Sequence, residues 1–238
     1  NSLAVIVPVE PPSPATGGLP VVLQANGSPD FDSETLIAYE LGYRWQVSPR
    51  LGLDAALFYN DHDRLRTIDL APDPPRFEPL PTPRLTVRGT AGNNLEGETH
   101  GFELAADYRP SDRWRLQAAY SYLDLDLRPK ASSTDPIAKS AEGESPAHQF
   151  SLRSSMDLSD KLEFDLWLRY VSELPGFSIS SYLTLDARLG WKAGTDWAVS
   201  LVGRNLIDSP HQEFGTSLFS TGEYEVEREV YLMAEWRF

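Results

Sequence analysis

Apolar and polar residues alternate one by one along most of this chain, in blocks of roughly ten residues. In 182–191, Leu183, Leu185, Ala187, Leu189 and Trp191 share one side, and Tyr182, Thr184, Asp186, Arg188 and Gly190 the other. In 161–170, Leu162, Phe164, Leu166, Leu168 and Tyr170 oppose Lys161, Glu163, Asp165, Trp167 and Arg169, with Trp167 the one misfit. The final residues repeat the pattern: Val230, Leu232, Ala234, Trp236 and Phe238 against Tyr231, Met233, Glu235 and Arg237. A period of two is that of a β-strand, whose successive side chains point to opposite faces. Each block is therefore expected as a strand with one apolar face. In 113–122 the apolar set is Trp114, Leu116, Ala118, Tyr120 and Tyr122, after which the phase flips to Leu123, Leu125 and Leu127. That flip reads as a bulge, or as the strand leaving an apolar medium.

The connections between blocks alternate in length. Val47-Ser48-Pro49-Arg50, Pro110-Ser111-Asp112, Leu158-Ser159-Asp160 and Ala193-Gly194-Thr195 are short and made of turn formers. Residues 68–84, 128–146 and 208–225 are long, with a shorter loop at 174–180. A strand crossing the hydrocarbon at a tilt needs about ten residues, and bacterial outer-membrane barrels join such strands by short periplasmic turns and long outer loops. The expected fold is an all-β, antiparallel transmembrane barrel. The expected strands span 33–46, 51–66, 85–109, 113–127, 147–157, 161–173, 181–192, 196–207 and 226–238. Residues 1–32, with Pro8, Pro11, Pro12, Pro14, Pro20 and Pro29, are expected as an extracellular loop segment. Single-chain bacterial barrels have even strand numbers, so further strands are expected upstream.

Tryptophans and tyrosines strengthen the membrane reading. Trp45, Trp114, Trp191 and Trp197 each lie within two residues of a short turn, while Tyr59, Tyr120, Tyr122 and Tyr170 sit near the opposite strand ends. Amphipathic rings favour the headgroup level, which gives such barrels two aromatic girdles. Composition removes other classes. Without cysteine there is no disulfide framework, thiolate metal site or cysteine nucleophile. A net charge of −14 opposes nucleic acid as a partner. No run of about 18 apolar residues is present, as a transmembrane helix would require. The chain opens on Asn1 with no signal-peptide pattern, which leaves export undecided.

At this point particular words carry a resemblance. Tyr39-Glu40-Leu41-Gly42-Tyr43-Arg44, Phe58-Tyr59-Asn60-Asp61-His62-Asp63-Arg64-Leu65, Glu98-Thr99-His100-Gly101-Phe102-Glu103-Leu104 and Gly203-Arg204-Asn205-Leu206-Ile207-Asp208 follow in this order before the terminal Trp236-Arg237-Phe238. Over about 28–238 the chain resembles the C-terminal part of the β-barrel of TonB-dependent outer-membrane receptors. The resemblance implies the last nine strands of a 22-stranded barrel in a Gram-negative outer membrane, with 33–238 as the barrel portion. An upstream plug would bind the TonB-type energy-coupling protein. It implies uptake of scarce solutes, with ferric siderophore the commonest cargo of the family, and no enzymatic chemistry or cofactor. It also implies lipid and lipopolysaccharide outside the wall, and the barrel-assembly machinery acting on a terminal signal here carried by Trp236 and Phe238. Where that signal usually has a mid-strand glycine, this chain has Leu232, Met233 and Ala234.

The candidate chemistry is thin. An inward set comprises Arg44, Arg115, Arg153, Arg169, Arg188 and Arg237 with Glu40, Asp54, Glu103, Asp107, Asp165, Asp186 and Glu235. These either form ion pairs facing water and plug or line a solute path. Asn205 and Asp208 are expected to bond local backbone where a strand exits, and Gly101 to permit a bend or close approach. His62, His100, His148 and His211 are too scattered for metal-ligand spacing. Glu223, Glu225, Glu227 and Glu229 read as a solvated edge. Ser145 near His148 lacks the nucleophile elbow of an outer-membrane lipase. A small passive pore or adhesin is the other non-enzymatic alternative. No substrate-contacting residue is assigned.

Overall fold

The computed structural model describes residues 4–79, 81–215 and 224–236. Its strands are β1 (Ala4–Glu10), β2 (Val21–Asn26), β3 (Thr35–Ser48), β4 (Leu51–Leu70), β5 (Arg76–Glu78), β6 (Arg84–Ser111), β7 (Trp114–Pro129), β8 (His148–Asp157), β9 (Leu162–Val171), β10 (Tyr182–Lys192), β11 (Trp197–Arg204) and β12 (Glu229–Trp236). All belong to one sheet. Its wall is the antiparallel series β3-β4-β6-β7-β8-β9-β10-β11-β12, in sequence order. The nine expected blocks are these nine strands.

Register turns the local alternation into a two-faced wall, because residues directly opposed in a pair share a face. Tyr43, Ala55, Leu104, Tyr120, Phe150, Tyr170 and Leu183 form one row across seven strands. One residue along, Arg44, Asp54, Ala105, Ala119, Ser151, Arg169 and Thr184 form the row behind it. The apolar face is bare: Leu41 is 68% and Leu232 73% exposed. Water tolerates no such surface, whereas hydrocarbon requires it.

The aromatic girdles take shape as cross-strand contacts. Beside the short turns, Trp197 stacks on Trp236 at 5.7 Å and 12°. At the other end Tyr39 meets Tyr59 at 6.2 Å, Phe102 meets Tyr120 at 5.7 Å, and Tyr122 meets His148 at 5.1 Å. His148 lies within that outward cluster, with Tyr120 Oη 2.8 Å from its Nδ1. Neighbouring short turns are tied by Arg50 to Asp112 (3.1 Å) and Arg113 to Asp160 (2.5 Å).

Three features add to the sequence expectations or decide between them. First, residues 1–32, expected as a loop segment, contain a hairpin: β1 pairs antiparallel with β2, and β2 lies parallel to β6 through Val21↔Leu85 to Asn26↔Thr90. β7 leaves β6 at Leu95, so the flank of β6 beyond it is open, and β2 covers it. Second, β7 carries no bulge at Tyr122, since its pairing with β6 runs unbroken from Leu116 to Pro129. β8 begins opposite Tyr122, so past that point β7 projects beyond its neighbour. Third, an unforeseen bulge falls in β4 between His62 and Leu65, where Arg64 takes φ 57°. That left-handed backbone is held by Asn93 Nδ2 donating to Arg64 O at 2.7 Å and by the Arg64–Asp32 pair at 2.5 Å.

Gly101 has the close approach expected of it. A Cβ there would overlap the Tyr122 carbonyl oxygen on β7 and lie 2.6 Å from Phe58 Cζ. The Phe58 ring fills the place of the missing side chain.

Candidate functional site: the inner wall and its mouth

The inward face sorts its charges. Arg44 pairs with Asp54 at 2.6 Å, Arg115 with Asp107, Arg169 with Asp186 at 3.2 Å, and Arg188 with Glu163 at 3.0 Å and Asp165 at 2.9 Å. Glu163 also takes Lys192 at 2.7 Å. These pairs link neighbouring strands and match the ion-paired wall. Glu40, Glu103 and Arg153 have no ion-pair partner among the described residues. Glu235 lies on the same face, opposite Ala198. Arg237 and Phe238 lie outside the described residues, as does Glu223.

Trp167, the sequence misfit, is explained on this face. Its Nε1 donates to Ser151 Oγ at 2.8 Å, and the Arg169 guanidinium lies 4.4 Å from its ring centroid. With Ala105, Ala119, Ser151 and Arg153 it borders a hollow of about 480 Å³, to which the small side chains of Ala105, Ala119 and Ser151 give room.

The mouth is built by chain that leaves the wall. Residues 130–146 return to the tops of β4, β6 and β7 on the inner face. Leu95, Leu127 and Ala138 form a buried cluster with Leu65 and Leu125 against it. The phase flip thus has a cause: below Tyr122 the apolar side of β7 faces outward, and above it the apolar side faces the returning loop. Asp69 ties the loop down. It accepts from Thr67 Oγ1 (2.8 Å), Asn94 Nδ2 (2.7 Å), Thr134 N (2.8 Å) and Ser133 Oγ (3.1 Å). Burial pushes its pKa upward, but the hydrogen bonds from Asn94, Thr134, Thr67 and Ser133 outweigh this and hold it below the ordinary 3.8.

A depressed carboxylate pKa gives stability that is present above the unfolded value and is lost as pH falls through the folded one. The loop is therefore expected to resist protease at neutral pH and to fray as pH drops below about 4. Asp69→Ala, leaving donors unpaired at a cost of about 1–3 kcal/mol, should fray it at both pH values and flatten the profile. Limited proteolysis of the complete membrane-embedded receptor across pH checks this.

Asn205 is a second tie and is 2% exposed. Its φ is 47°. Its N donates to Asp186 Oδ1 (3.0 Å), its Nδ2 to Ser209 O (3.4 Å) and Val226 O (3.2 Å), and its carbonyl accepts from Arg228 Nε (3.2 Å). Asp208 Oδ1 accepts from Ser209 N at 2.8 Å. The local backbone bonding expected at this strand exit is present, and the reach to Val226 across the loop could not be read from spacing. His211 stacks on Tyr182 at 4.3 Å with Asp208 at 3.7 Å and Glu213 at 3.4 Å. No group of three or more histidines and carboxylates fit to hold a metal occurs among the described residues.

An apolar-outside, charged-inside antiparallel wall with short turns at one edge and folded loops at the other is a segment of an outer-membrane barrel. Residues 12–206 match the model of the TonB dependent receptor-like β-barrel. The chain belongs to that family, whose members are receptors of the Gram-negative outer membrane rather than enzymes. Among curated proteins it is similar to a probable TonB-dependent siderophore receptor, PiuA, of Acinetobacter baumannii, 24% identical over 72% of this chain and 20% of that one. Among solved structures it is similar to the ferric yersiniabactin uptake receptor FyuA of Yersinia pestis. There the TM-score is 0.58 and identity 20%, over 86% of this chain and 30% of that one. The siderophore receptor PirA of Acinetobacter baumannii gives a TM-score of 0.64 at 14% identity, over 100% of this chain and 36% of that one. The chain thus spans about a fifth to a third of these relatives.

Proposed function

We propose that the complete protein is an energy-coupled importer that takes ferric siderophores across the outer membrane, and that this chain is the C-terminal part of its barrel. The carrying observation is the nine-strand wall, charged within and apolar without, whose strands β3 to β11 lie in the 12–206 matched to the receptor barrel. The siderophore assignment rests on the PiuA relative. On this reading the short turns are periplasmic. Residues 1–32, 68–84, 128–146 and 208–225 face the medium, where cargo is met. The unpaired Glu40, Glu103 and Arg153 meet the plug that fills the lumen. A TonB-type protein pulls on that plug from below, lipopolysaccharide surrounds the upper girdle, and Trp236 with Phe238 present the strand to the barrel-assembly machinery.

The test is iron-limited growth of a deletion strain carrying the complete gene, fed a panel of ferric siderophores, with and without the energy-coupling protein. Growth on one siderophore that disappears without coupling supports the importer. Uptake indifferent to coupling supports the passive pore and overturns it. In the active strain, exchanging residues 68–84 and 128–146 for Gly/Ser linkers should weaken cargo binding about tenfold or more, equivalent to ~1.4 kcal/mol. Unchanged binding would remove these loops from the cargo site.

A further inference from the structure

The loop that returns over the inner face is secured on three sides. Toward β4, Asp135 Oδ2 accepts from Ile68 N at 2.7 Å, Thr134 Oγ1 donates to Leu70 O at 3.0 Å, and Asp69 takes the bonds already described. Toward β6, Ser132 Oγ donates to Asn94 Oδ1 at 2.8 Å and Lys130 N to Asn94 O at 2.9 Å. Toward β7, Glu142 Oε1 accepts from Leu127 N at 2.6 Å. The loop's own Ala138 is buried with Leu95 and Leu127 of the wall, each at most 9% exposed. Such anchoring is unlike a loop that opens freely, whose backbone bonds face solvent and whose apolar contacts are few.

The same loop is joined to its neighbour by backbone. A Cβ on Gly143 would lie 2.5 Å from Gly176 N, and one on Gly176 would lie 2.9 Å from Gly143 C. Leu174 and Ile179, each 5% exposed, clip the ends of that neighbouring loop together through paired backbone bonds of 2.8 and 3.2 Å. Two glycines in mutual contact leave no side chain that could swing aside, so the loops separate only by breaking this packing.

We propose that residues 130–146 and 174–179 form one preassembled wall of the mouth, fixed to the barrel before cargo arrives and unmoved while it is taken up. Closure over cargo, where it occurs, belongs to other segments. The wall presents a fixed shape, which favours cargo that fits it without an ordering cost.

Hydrogen exchange on the complete, cargo-free receptor tests the first half and makes no use of the siderophore reading. The amides of Ile68, Leu127, Lys130 and Thr134 should be protected within about tenfold of the β7–β8 ladder amides. Exchange at open-loop rates would overturn the proposal. A crosslink tests the second half: Ser132→Cys with Asn94→Cys should form a disulfide, seen by its gel mobility. Uptake of the siderophore active in the growth panel should then be equal with and without reductant. Uptake blocked by the crosslink and restored by reductant would show that the wall must move. Gly143→Val, which forces the two loops apart without touching Asp69, should raise exchange at residues 174–179 as well. If exchange rose at 140–146 alone, the two loops would not be one unit.

Discussion

Arginine in place of Leu232 should sharply reduce the amount of assembled receptor in the outer membrane, whereas arginine at the adjacent Met233 should be tolerated. Leu232 opposes Leu201 on β11 and is 73% exposed on the apolar face. Met233 opposes Ser200 on the face that carries Glu235 and Arg188. The two positions are neighbours in sequence, similar in depth, and differ only in the side they address. A charge facing lipid near midplane costs about 2–4 kcal/mol, while inward substitution leaves the assembly free energy near its original value. The comparison is read from outer-membrane abundance and heat-modifiable gel migration of the complete receptor. Equal loss from both substitutions would refute the assignment of faces.

Gly101→Val should produce the second large effect. The side chain would be driven into the Tyr122 carbonyl of β7 and against the Phe58 ring, so β6 and β7 must separate or the ring must leave. Overpacking of this kind costs about 1–3 kcal/mol, and more where the obstacle is backbone. A Gly101→Val, Phe58→Ala double variant should recover only part of the loss, because removing the ring leaves the carbonyl in place. Full recovery would mean that the ring, and not the neighbouring strand, requires the glycine. Folded fraction in urea, followed by gel migration of the refolded complete receptor, separates these outcomes.

These two predictions rest on features of unequal visibility in the sequence. The faces around Leu232 and Met233 follow from alternation alone, since a two-residue period leaves one choice of which side is apolar. Gly101 was marked as a close approach, yet the partner that makes it one, Tyr122, lies on another strand and becomes its neighbour only through pairing. Trp167 shows the limit of pattern reading from the other side. Alternation placed it inward as an anomaly, and the reason, a hydrogen bond to Ser151 and a guanidinium over its ring, depends on which residues two strands bring together.

The sequence by itself determined the strand blocks, their faces, the contrast of short turns and long loops, and the family words, because each is set by contacts within a few residues or by the surrounding medium. Tertiary structure alone decided the hairpin within 1–32, the bulge at Arg64, which inward charges pair and which do not, and the folding of 130–146 back onto the wall. Those outcomes depend on partners far apart along the chain, such as Asp69 with Ser133 and Asn205 with Val226. No local period encodes such meetings, since they arise only after the strands have fixed their register.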